Sequence, residues 1–366
     1  METSNPFKFG SVVDEPYFTN RVKELKQVKQ LLQSQNHLIL ISPRRYGKTS
    51  LILKAVNSLS RPYIFLDLQL VTGIADFAAQ LLKRIYRVYP FEKIKQFVKN
   101  FRIVPTLNVN PVTNEVDIGF IPKDSEIPML EDVFHLIDNI GKHGKKPIVI
   151  LDEFQEIFRI DRNLDKLLRA TLQHHKHVNY AFLGSMETMM REIFEKKKSP
   201  FYHFGQLIPL DKIPYKEFFN YLSTGFNGRC DENEKISEAV LNFTGAHPYY
   251  TQQLAFTIWE DCNDDLPVDK QMEESVVTLI NIHDVDYERL WQNLNQTDRK
   301  IIIVLAMQQQ NILSENILRK YGLPAASTVY SSLKRLMQQG YVIKSATGYE
   351  LDDPFFARWI KIKREQ

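Results

Sequence analysis

Residues 42–49 have the spacing of a phosphate-binding loop. The segment Ser42-Pro-Arg-Arg-Tyr-Gly-Lys-Thr49 follows a short apolar run, precedes a helix-length stretch and fits GxxxxGK[ST] with serine replacing the first glycine. In such loops backbone N–H groups surround phosphates, the lysine reaches the β- and γ-phosphates and the threonine hydroxyl is a Mg²⁺ ligand. Gly47 allows close approach of the backbone to the ligand. The nucleotide-binding candidates here are Pro43, Arg44, Arg45, Tyr46, Gly47, Lys48, Thr49 and Ser50.

Two adjacent carboxylates, Asp152 and Glu153, follow the apolar run 147–151. Ligands of open α/β sheets bind at the carboxyl ends of the strands. Beside a phosphate-binding loop, this pattern predicts that Asp152 holds Mg²⁺ through water and that Glu153 polarises the water attacking a γ-phosphate. The Asp-Glu pair and the lack of an NKxD motif favour ATP over GTP.

Ser185 follows another apolar run and is a further candidate catalytic residue. Its hydroxyl could sense the γ-phosphate or orient the attacking water. The alternative is a serine that only satisfies its own turn.

A parallel sheet is needed to bring these residues together. Short apolar runs alternate with amphipathic stretches through about residue 210, which predicts an α/β fold with helices on both faces of the sheet. Residues 104–120 instead alternate around Pro111 to Glu115, which is typical of an inserted hairpin. The predicted strands are 37–41, 62–67, 147–151, 179–184 and 206–210.

After Pro214 the sequence predicts a helical module and then a winged helix-turn-helix, in which three short helices precede a hairpin at 341–351. We predict three domains: an αβ core at 1–213 that begins with an adenine-side segment at 1–36, a helical lid at 214–292 and a winged helix at 293–366. The predicted helices are 216–226, 234–244, 249–261, 268–290, 298–307, 314–321 and 327–339.

With these motifs in this order, the chain resembles the archaeal-type ATPase family, a branch of the AAA+/STAND P-loop ATPases. The segment 43–51 is similar to the family's PRRxGKTSL, and Phe18-Thr-Asn-Arg21-Val-Lys-Glu24-Leu resembles hhGRxxEL, with Asn20 where glycine is usual. Gly245-Ala-His-Pro248 looks like the GxP signature of STAND lids. The resemblance implies AAA+ strand order, an adenine pocket bordered by the segment containing Arg21, and Pro248 near the nucleotide.

The resemblance leaves two features of relatives without a clear counterpart. Many relatives carry a basic residue around the fifth strand, whereas this chain has His203-Phe-Gly-Gln206 there. Some relatives continue into a nuclease-like domain, but about ten residues follow the wing here, so we expect no nuclease. The arginines that remain as sensor or finger candidates are Arg159, Arg162, Arg169 and Arg191.

The predicted winged helix is basic. Residues 297–366 contain 11 basic and 6 acidic side chains. This asymmetry favours contact with a phosphate backbone, so DNA is one candidate partner. A role in packing or protein docking is an equal alternative. The side chains predicted to face outward on the recognition helix are Tyr330, Ser331, Lys334 and Arg335.

Composition limits the remaining possibilities. The chain has 366 residues, 47 basic against 44 acidic, so no global field drives it onto nucleic acid or membrane. Two cysteines without a CxxC pair exclude a zinc ribbon or a disulfide framework and fit a reducing compartment. No apolar run approaches the ~20 residues that span a bilayer. We expect a cytoplasmic protein with no membrane association.

These observations predict a Mg²⁺-dependent ATPase that binds ATP and ADP and acts as a nucleotide-controlled switch. One alternative is an ATP-dependent DNA-binding regulator or loader resembling replication-initiator ATPases. Another is a low-turnover, nucleotide-bound scaffold. A protein partner or self-association is compatible with each of these functions.

Overall fold

The computed structural model describes residues 4–13, 17–19, 21–90, 94, 105–109, 116–120, 127–309, 311–345 and 348–364, with only the backbone for 105–109, 116–120 and 127–128. The chain forms two compact units. The sheet unit comprises 21–42 and 48–211, and the helical unit comprises 1–20, 43–47 and 212–366. The predicted three-domain division stays a prediction.

A five-stranded parallel sheet organises the sheet unit. The strands are β1 (Leu38–Ile41), β2 (Tyr63–Asp67), β5 (Ile148–Asp152), β6 (Asn179–Gly184) and β7 (Gln206–Pro209). Their order is β2-β5-β6-β1-β7, the AAA+ order that the resemblance implies. Every residue of β1, β5 and β6 is buried, as expected of strands covered on both faces. The five predicted strands are therefore confirmed, with ends that differ by at most one residue.

The described helices of the sheet unit include one before β1 and others that connect the later strands. Their amphipathic stripes place Phe77, Leu81 and Phe134 in the core against the sheet. They are α1 (Val22–Gln33), α2 (Lys48–Asn57), α3 (Ile74–Val88), α4 (Ile127–Lys142), α5 (Ile157–Ile160), α6 (Leu164–Leu172) and α7 (Glu187–Phe194). Between α3 and α4, β3 (Pro105–Val109) pairs antiparallel with β4 (Val116–Phe120), which confirms the inserted hairpin. Its turn, 110–115, lies outside the described residues.

Strand register brings the ends of four segments to one edge of the sheet. Asp67 pairs with Asp152, and Ile41 pairs with Gly184. Asp67 accepts a hydrogen bond from the backbone N–H of Gln69 at 2.9 Å and so caps a short turn. The residues after β1, β5 and β6 therefore meet at the carboxyl edge, where ligands of such sheets bind.

The helical unit contains the predicted helices in the predicted order. Long helices give way to three short ones and a hairpin, the winged helix arrangement. They are α8 (Tyr215–Phe226), α9 (Asn233–Thr244), α10 (Pro248–Glu260), α11 (Val268–Asn293), α12 (Gln296–Ala306), α13 (Glu315–Lys320) and α14 (Ala326–Gln338). The wing strands are β8 (Val342–Ser345) and β9 (Gly348–Leu351), which pair antiparallel.

A helix that the sequence did not predict follows the wing. This helix, α15 (Pro354–Arg364), buries Phe355, Phe356, Trp359 and Ile360 in the core of the helical unit. The indole N–H of Trp359 donates to Asp284 Oδ1 on α11 at 2.7 Å. Residues 354–364 are thus part of the packed helical unit.

The two cysteines of the chain are paired. The structure joins Cys230 and Cys262 in a disulfide, with their Cα atoms 6.1 Å apart. One bridge is not the disulfide framework that the composition excludes, but the sequence did not predict it, because spacing alone does not show that the segment between α8 and α9 lies beside the end of α10. Among the described residues, no helix combines the length and apolar content needed to cross a bilayer.

Candidate functional site

The phosphate-binding loop connects β1 to α2, as its sequence predicts. Ser42 is fully buried after β1, and its N–H donates to Gly184 O at 3.3 Å. The Lys48 ammonium, 6% exposed as a residue, donates to the carbonyl of Ser42 at 3.3 Å and to its hydroxyl at 3.4 Å. The serine that replaces the first glycine therefore supplies a hydrogen-bond acceptor for the catalytic-lysine candidate.

Two residues of this loop have left-handed backbone. Arg45 has φ 63° and Gly47 has φ 87°. A Cβ on Gly47 would meet no protein atom within 4 Å, so the dihedral angle and not crowding by the protein explains the glycine. At Arg45 the same conformation costs a non-glycine residue of order 1–3 kcal/mol, which surrounding contacts must offset.

The two metal-ligand candidates lie side by side. The Thr49 hydroxyl donates to Asp152 Oδ2 at 3.0 Å. Asp152 is only 6% exposed, and burial raises its pKa, with the neighbouring charge of Glu153 adding to the rise. A buried carboxylate with a raised pKa beside a hydroxyl is an oxygen-rich position where a cation would be stabilised.

The catalytic candidates Glu153 and Ser185 are hydrogen-bonded to each other. Glu153 Oε2 accepts from the Ser185 hydroxyl at 2.6 Å and from its N–H at 3.2 Å. The side-chain amide of Gln155 donates to the same oxygen. Glu153 itself has left-handed backbone, with φ 50°, and its N–H donates to Asp152 Oδ1 at 2.9 Å. One carboxylate oxygen is therefore held by three donors.

Sequence reasoning missed two residues at this edge. Gln155 is 2% exposed, and its Oε1 has no hydrogen-bond partner among the described residues. Glu187, in the first turn of α7, has a pKa raised by burial, while the charge of Lys48 lowers it. A glutamine two residues after the acidic pair is not a motif, so the sequence offered no signal for Gln155. An acidic residue at a helix start was the available signal for Glu187.

Arg21, the adenine-side candidate, begins α1. It is 4% exposed and forms an ion pair with Glu24 at 3.2 Å. Its neighbour Asn20 lies outside the described residues. The arginine is thus a buried residue tied to the glutamate of its own motif.

Pro248 is the first residue of α10, where proline is favoured because that position needs no N–H. The ring of His247 caps the helix, since its Nδ1 accepts from the N–H of Tyr249 at 3.2 Å. In the same unit, the loop residue Tyr46 is 4% exposed and packs edge-on against His247, with ring centroids 4.8 Å apart. The GxP signature therefore lies against the phosphate-binding loop within the helical unit.

Most of the candidate sensor arginines already have structural partners. Arg159 pairs with Glu156 at 3.0 Å, and Arg191 pairs with Glu195 at 3.0 Å. Arg169 donates to Pro200 O at 2.9 Å. Arg162 is exposed. These contacts favour structural roles for Arg159, Arg169 and Arg191.

On the recognition helix, Tyr330, Ser331, Lys334 and Arg335 are exposed, as predicted. Arg335 is nonetheless engaged: its guanidinium contacts the buried carboxylate of Asp298 at 2.7 Å. The outward face therefore offers fewer basic groups for a phosphate than the sequence suggested, because Arg335 already pairs with Asp298. Within the described part of the chain, no three potential metal-ligating side chains cluster.

The sequence matches two family models and several known proteins. Residues 18–254 match the model of a family described as an ATPase domain predominantly from Archaea, and residues 285–362 match a probable winged helix domain. An uncharacterized ATP-binding protein of Methanocaldococcus jannaschii is 23% identical over 263 residues, covering 63% of this chain and 68% of that protein.

Two solved structures share the fold. A Walker-type ATPase of Pyrococcus abyssi superposes with a TM-score of 0.70 at 17% identity, covering 97% of this chain and 99% of that one. The ORC2 protein of Aeropyrum pernix, in ADPNP–ADP complexes, superposes with a TM-score of 0.56 at 16% identity, covering 97% of both chains.

Proposed function

This chain belongs to the family of ATPase domains found predominantly in Archaea, and we propose that it hydrolyses ATP in a Mg²⁺-dependent reaction and acts as a nucleotide-controlled switch. The observation that carries the proposal is the arrangement at the carboxyl edge of the sheet. There, Lys48 and Thr49 follow β1, and the Thr49 hydroxyl bonds Asp152 at the end of β5. A nucleoside triphosphate with its metal requires a lysine that binds phosphate and a pair of oxygen ligands for the metal.

The donor set fits magnesium. The Thr49 hydroxyl and the Asp152 carboxylate are hard oxygen ligands 3.0 Å apart, and burial keeps the pKa of Asp152 raised although the charge of Lys48 lowers it. Mg²⁺ typically takes one or two protein oxygens and completes its shell with water and phosphate oxygens. Bound there, the ion would neutralise phosphate charge.

Two residues of this chain would bind the phosphates and activate the attacking water. Lys48 would exchange its bonds to Ser42 for phosphate oxygens, which are charged and therefore stronger acceptors. Glu153 would orient and polarise the attacking water with the carboxylate oxygen that Ser185 and Gln155 leave available. Catalysis would then consist of positioning and charge neutralisation.

Two variants test the enzyme claim. Lys48→Ala should weaken ATP binding at least tenfold in calorimetry, because it removes the phosphate contact. Glu153→Gln should retain ATP binding and lower phosphate release about 10²–10³-fold, within the range for loss of a general base. Glu192→Gln, which changes an exposed carboxylate on α7, is the matched control and should behave as the wild type.

The outcomes also separate the rival functions. ATP binding with no phosphate release above that of Glu153→Gln would indicate a nucleotide-bound scaffold. Absence of ATP binding by the wild type would contradict the proposal altogether.

DNA binding is a second candidate function, favoured by the exposure of Lys334, Tyr330 and Ser331 on one helix face. Lys334→Ala should reduce the slope of log K against log salt by about one if the lysine contacts a phosphate. Arg335→Ala should change that slope less, because Arg335 is paired with Asp298. An unchanged slope in Lys334→Ala would rule out this face.

A further inference from the structure

Arg45 is held by neutral partners in the helical unit. Its Nη1 donates to the hydroxyl of Tyr250 at 3.1 Å. Its guanidinium lies 4.6 Å from the ring centroid of Tyr249. Cation–π contacts and neutral hydroxyls are weaker partners for a guanidinium than a phosphate is. The charge of Arg45 is therefore in a position to exchange these partners for a charged one.

Tyr250 connects this arginine to the winged helix. It is 4% exposed, and its ring packs edge-on against Phe355 on α15, with centroids 5.9 Å apart. Asp353 fixes the start of α15, since Oδ1 accepts from the N–H of Phe355 at 2.8 Å. Asp353 Oδ2 accepts from the Tyr287 hydroxyl at 3.0 Å. A movement of Tyr250 would therefore displace Phe355 at the N-terminus of α15.

A parallel contact runs through His247. Nδ1 of His247 accepts backbone N–H groups at the start of α10, so Nε2 is the ring nitrogen left for a further contact. Nε2 is 3.4 Å from Asp352 Oδ1, which follows the wing strand β9. The ring of His247 also packs on Tyr46 of the phosphate-binding loop. Two adjacent loop residues, Arg45 and Tyr46, thus contact Tyr250 on α10 and the helix cap His247. These two residues in turn contact Phe355 and Asp352.

We propose that Arg45 senses a bound nucleoside triphosphate by exchanging Tyr250 for phosphate, and that Tyr250 and His247 transmit the exchange to the winged helix through Phe355 and Asp352. This inference rests on the proposed function, because it requires nucleotide at the loop. It adds the specific contact that links the nucleotide to the winged helix. The left-handed backbone of Arg45 fits this role, since strained residues occur at switch positions.

Hydrogen exchange with and without a non-hydrolysable ATP analogue and Mg²⁺ tests the proposal. In the full-length wild type, the analogue should change amide protection in 341–364. In Tyr250→Phe, which removes only the hydroxyl, that change should fall at least threefold. Tyr249→Phe keeps the ring under the guanidinium and should respond as the wild type does. Arg45→Gly, which tolerates the left-handed backbone, should lose the response as Tyr250→Phe does.

Affinity provides a second readout. Tyr250 competes with phosphate for Arg45, so Tyr250→Phe should lower the dissociation constant of the analogue about tenfold to a hundredfold, as expected for loss of one hydrogen bond to a charged group. A raised dissociation constant would mean that Tyr250 prepares Arg45 for phosphate and would overturn the exchange.

Calorimetry on the wild type distinguishes a failure of the relay from a failure of the proposed ATPase function. Nucleotide binding without any change in 341–364, or an equal change in Tyr250→Phe, would overturn the relay and leave the proposed ATPase intact. Equal losses in Tyr249→Phe and Tyr250→Phe would overturn the assignment to the Tyr250 hydroxyl. Failure of the wild type to bind nucleotide would remove the proposed function and the inference with it.

Discussion

The carboxylate of Glu153 is fixed by its neighbours and is not left to solvent. Its Oε2 receives the hydroxyl and the N–H of Ser185 as well as the amide of Gln155. A catalytic base that must align water benefits from such fixed hydrogen bonds, because its position then needs no reorganisation during the reaction. Ser185 is thus better described as a positioning residue for Glu153 than as a turn serine.

Removing the Ser185 hydroxyl should therefore slow catalysis without weakening binding. For Ser185→Ala we expect kcat for ATP hydrolysis to fall about tenfold, the equivalent of one hydrogen bond, with KM little changed. Steady-state phosphate release measures both constants. Ser185→Thr keeps the hydroxyl and should recover most of kcat. A KM that rose with unchanged kcat would instead indicate that the serine contacts bound nucleotide.

The sequence predicted the residues that carry a general chemical motif and missed those that only support them. Lys48, Thr49 and Asp152 follow from spacing, because their chemistry demands particular residue types next to particular elements. The bond from Gln155 to Glu153 could not be predicted, since it depends on the left-handed turn at Glu153. That turn has no signature in the sequence.

At the scale of elements, β6 and α7 approach closely at the end of the strand, where Gly184 stands. A Cβ on Gly184 would overlap the side chain of Met190 and would lie 2.6 Å from Gln155 Oε1, so both side chains would have to shift. Gln155 is one of the donors to Glu153. The packing of these two elements therefore also sets the position of the candidate base.

Gly184→Ala should destabilise the sheet unit by about 1–3 kcal/mol, the usual cost of overpacking a core. Urea unfolding measures the change. Met190→Ala in the same chain removes one clashing side chain, so the double variant should lose less than the sum of the two single variants. Gly144→Ala, where the nearest atom is 3.4 Å away, is the control and should change stability little.

Arg335 should matter more to the stability of the winged helix than its exposed neighbour Lys334. The carboxylate of Asp298 is 4% exposed, so removing its guanidinium partner leaves a poorly solvated charge. We expect Arg335→Ala to lower the free energy of unfolding by about 1–3 kcal/mol. Lys334→Ala should lower it by less than about 0.5 kcal/mol. Equal losses in urea titrations would contradict this role.

Helix α15 shows why the sequence prediction stopped at the wing. Phe355, Phe356, Trp359 and Ile360 recur at helical spacing, so a periodicity signal was present. The winged helix pattern of three helices and a hairpin was already complete before it, and the pattern gave no reason to expect another element. Which face of α15 would be buried depends on contacts with α11, 66 or more residues earlier, as in the bond from Tyr287 to Asp353.

For the whole molecule, stability should depend on pH through two histidines, the buried His175 and the half-buried His37. Burial lowers the pKa of His37 to about 4 and that of His175 to about 4. The folded state therefore resists protonation that the unfolded chain accepts near pH 6.5. The contribution of each histidine to the free energy of unfolding is fully present above pH 6.5. It is lost as pH falls towards 4 and amounts to up to about 3 kcal/mol for each histidine.

Urea midpoints between pH 7 and pH 4 measure this effect. His37→Asn removes the titrating ring and keeps an acceptor for the N–H of Tyr180, which His37 Nδ1 accepts at 3.2 Å. Its unfolding free energy should therefore fall less steeply with acid than that of the wild type. His143→Asn, at an exposed position, should leave the slope unchanged.

The order of modules was predictable because each leaves its own periodicity in the sequence: buried strands, then long helices, then short helices and a hairpin. The division into compact units was not. Residues 43–47 cluster with the helical unit although 42 and 48 belong to the sheet unit. Contacts such as Tyr46 on His247 decide that membership, and no local pattern encodes a contact across 200 residues.

The buried indole of Trp359 has a practical consequence for following this chain optically. The protein has three tryptophans, Trp259, Trp291 and Trp359, and all of them lie in the helical unit. Indole fluorescence excited at long wavelength will thus report melting of that half alone, whereas far-ultraviolet dichroism sums over every helix and strand. Transitions that fail to coincide between the two signals would reveal that the halves unfold separately.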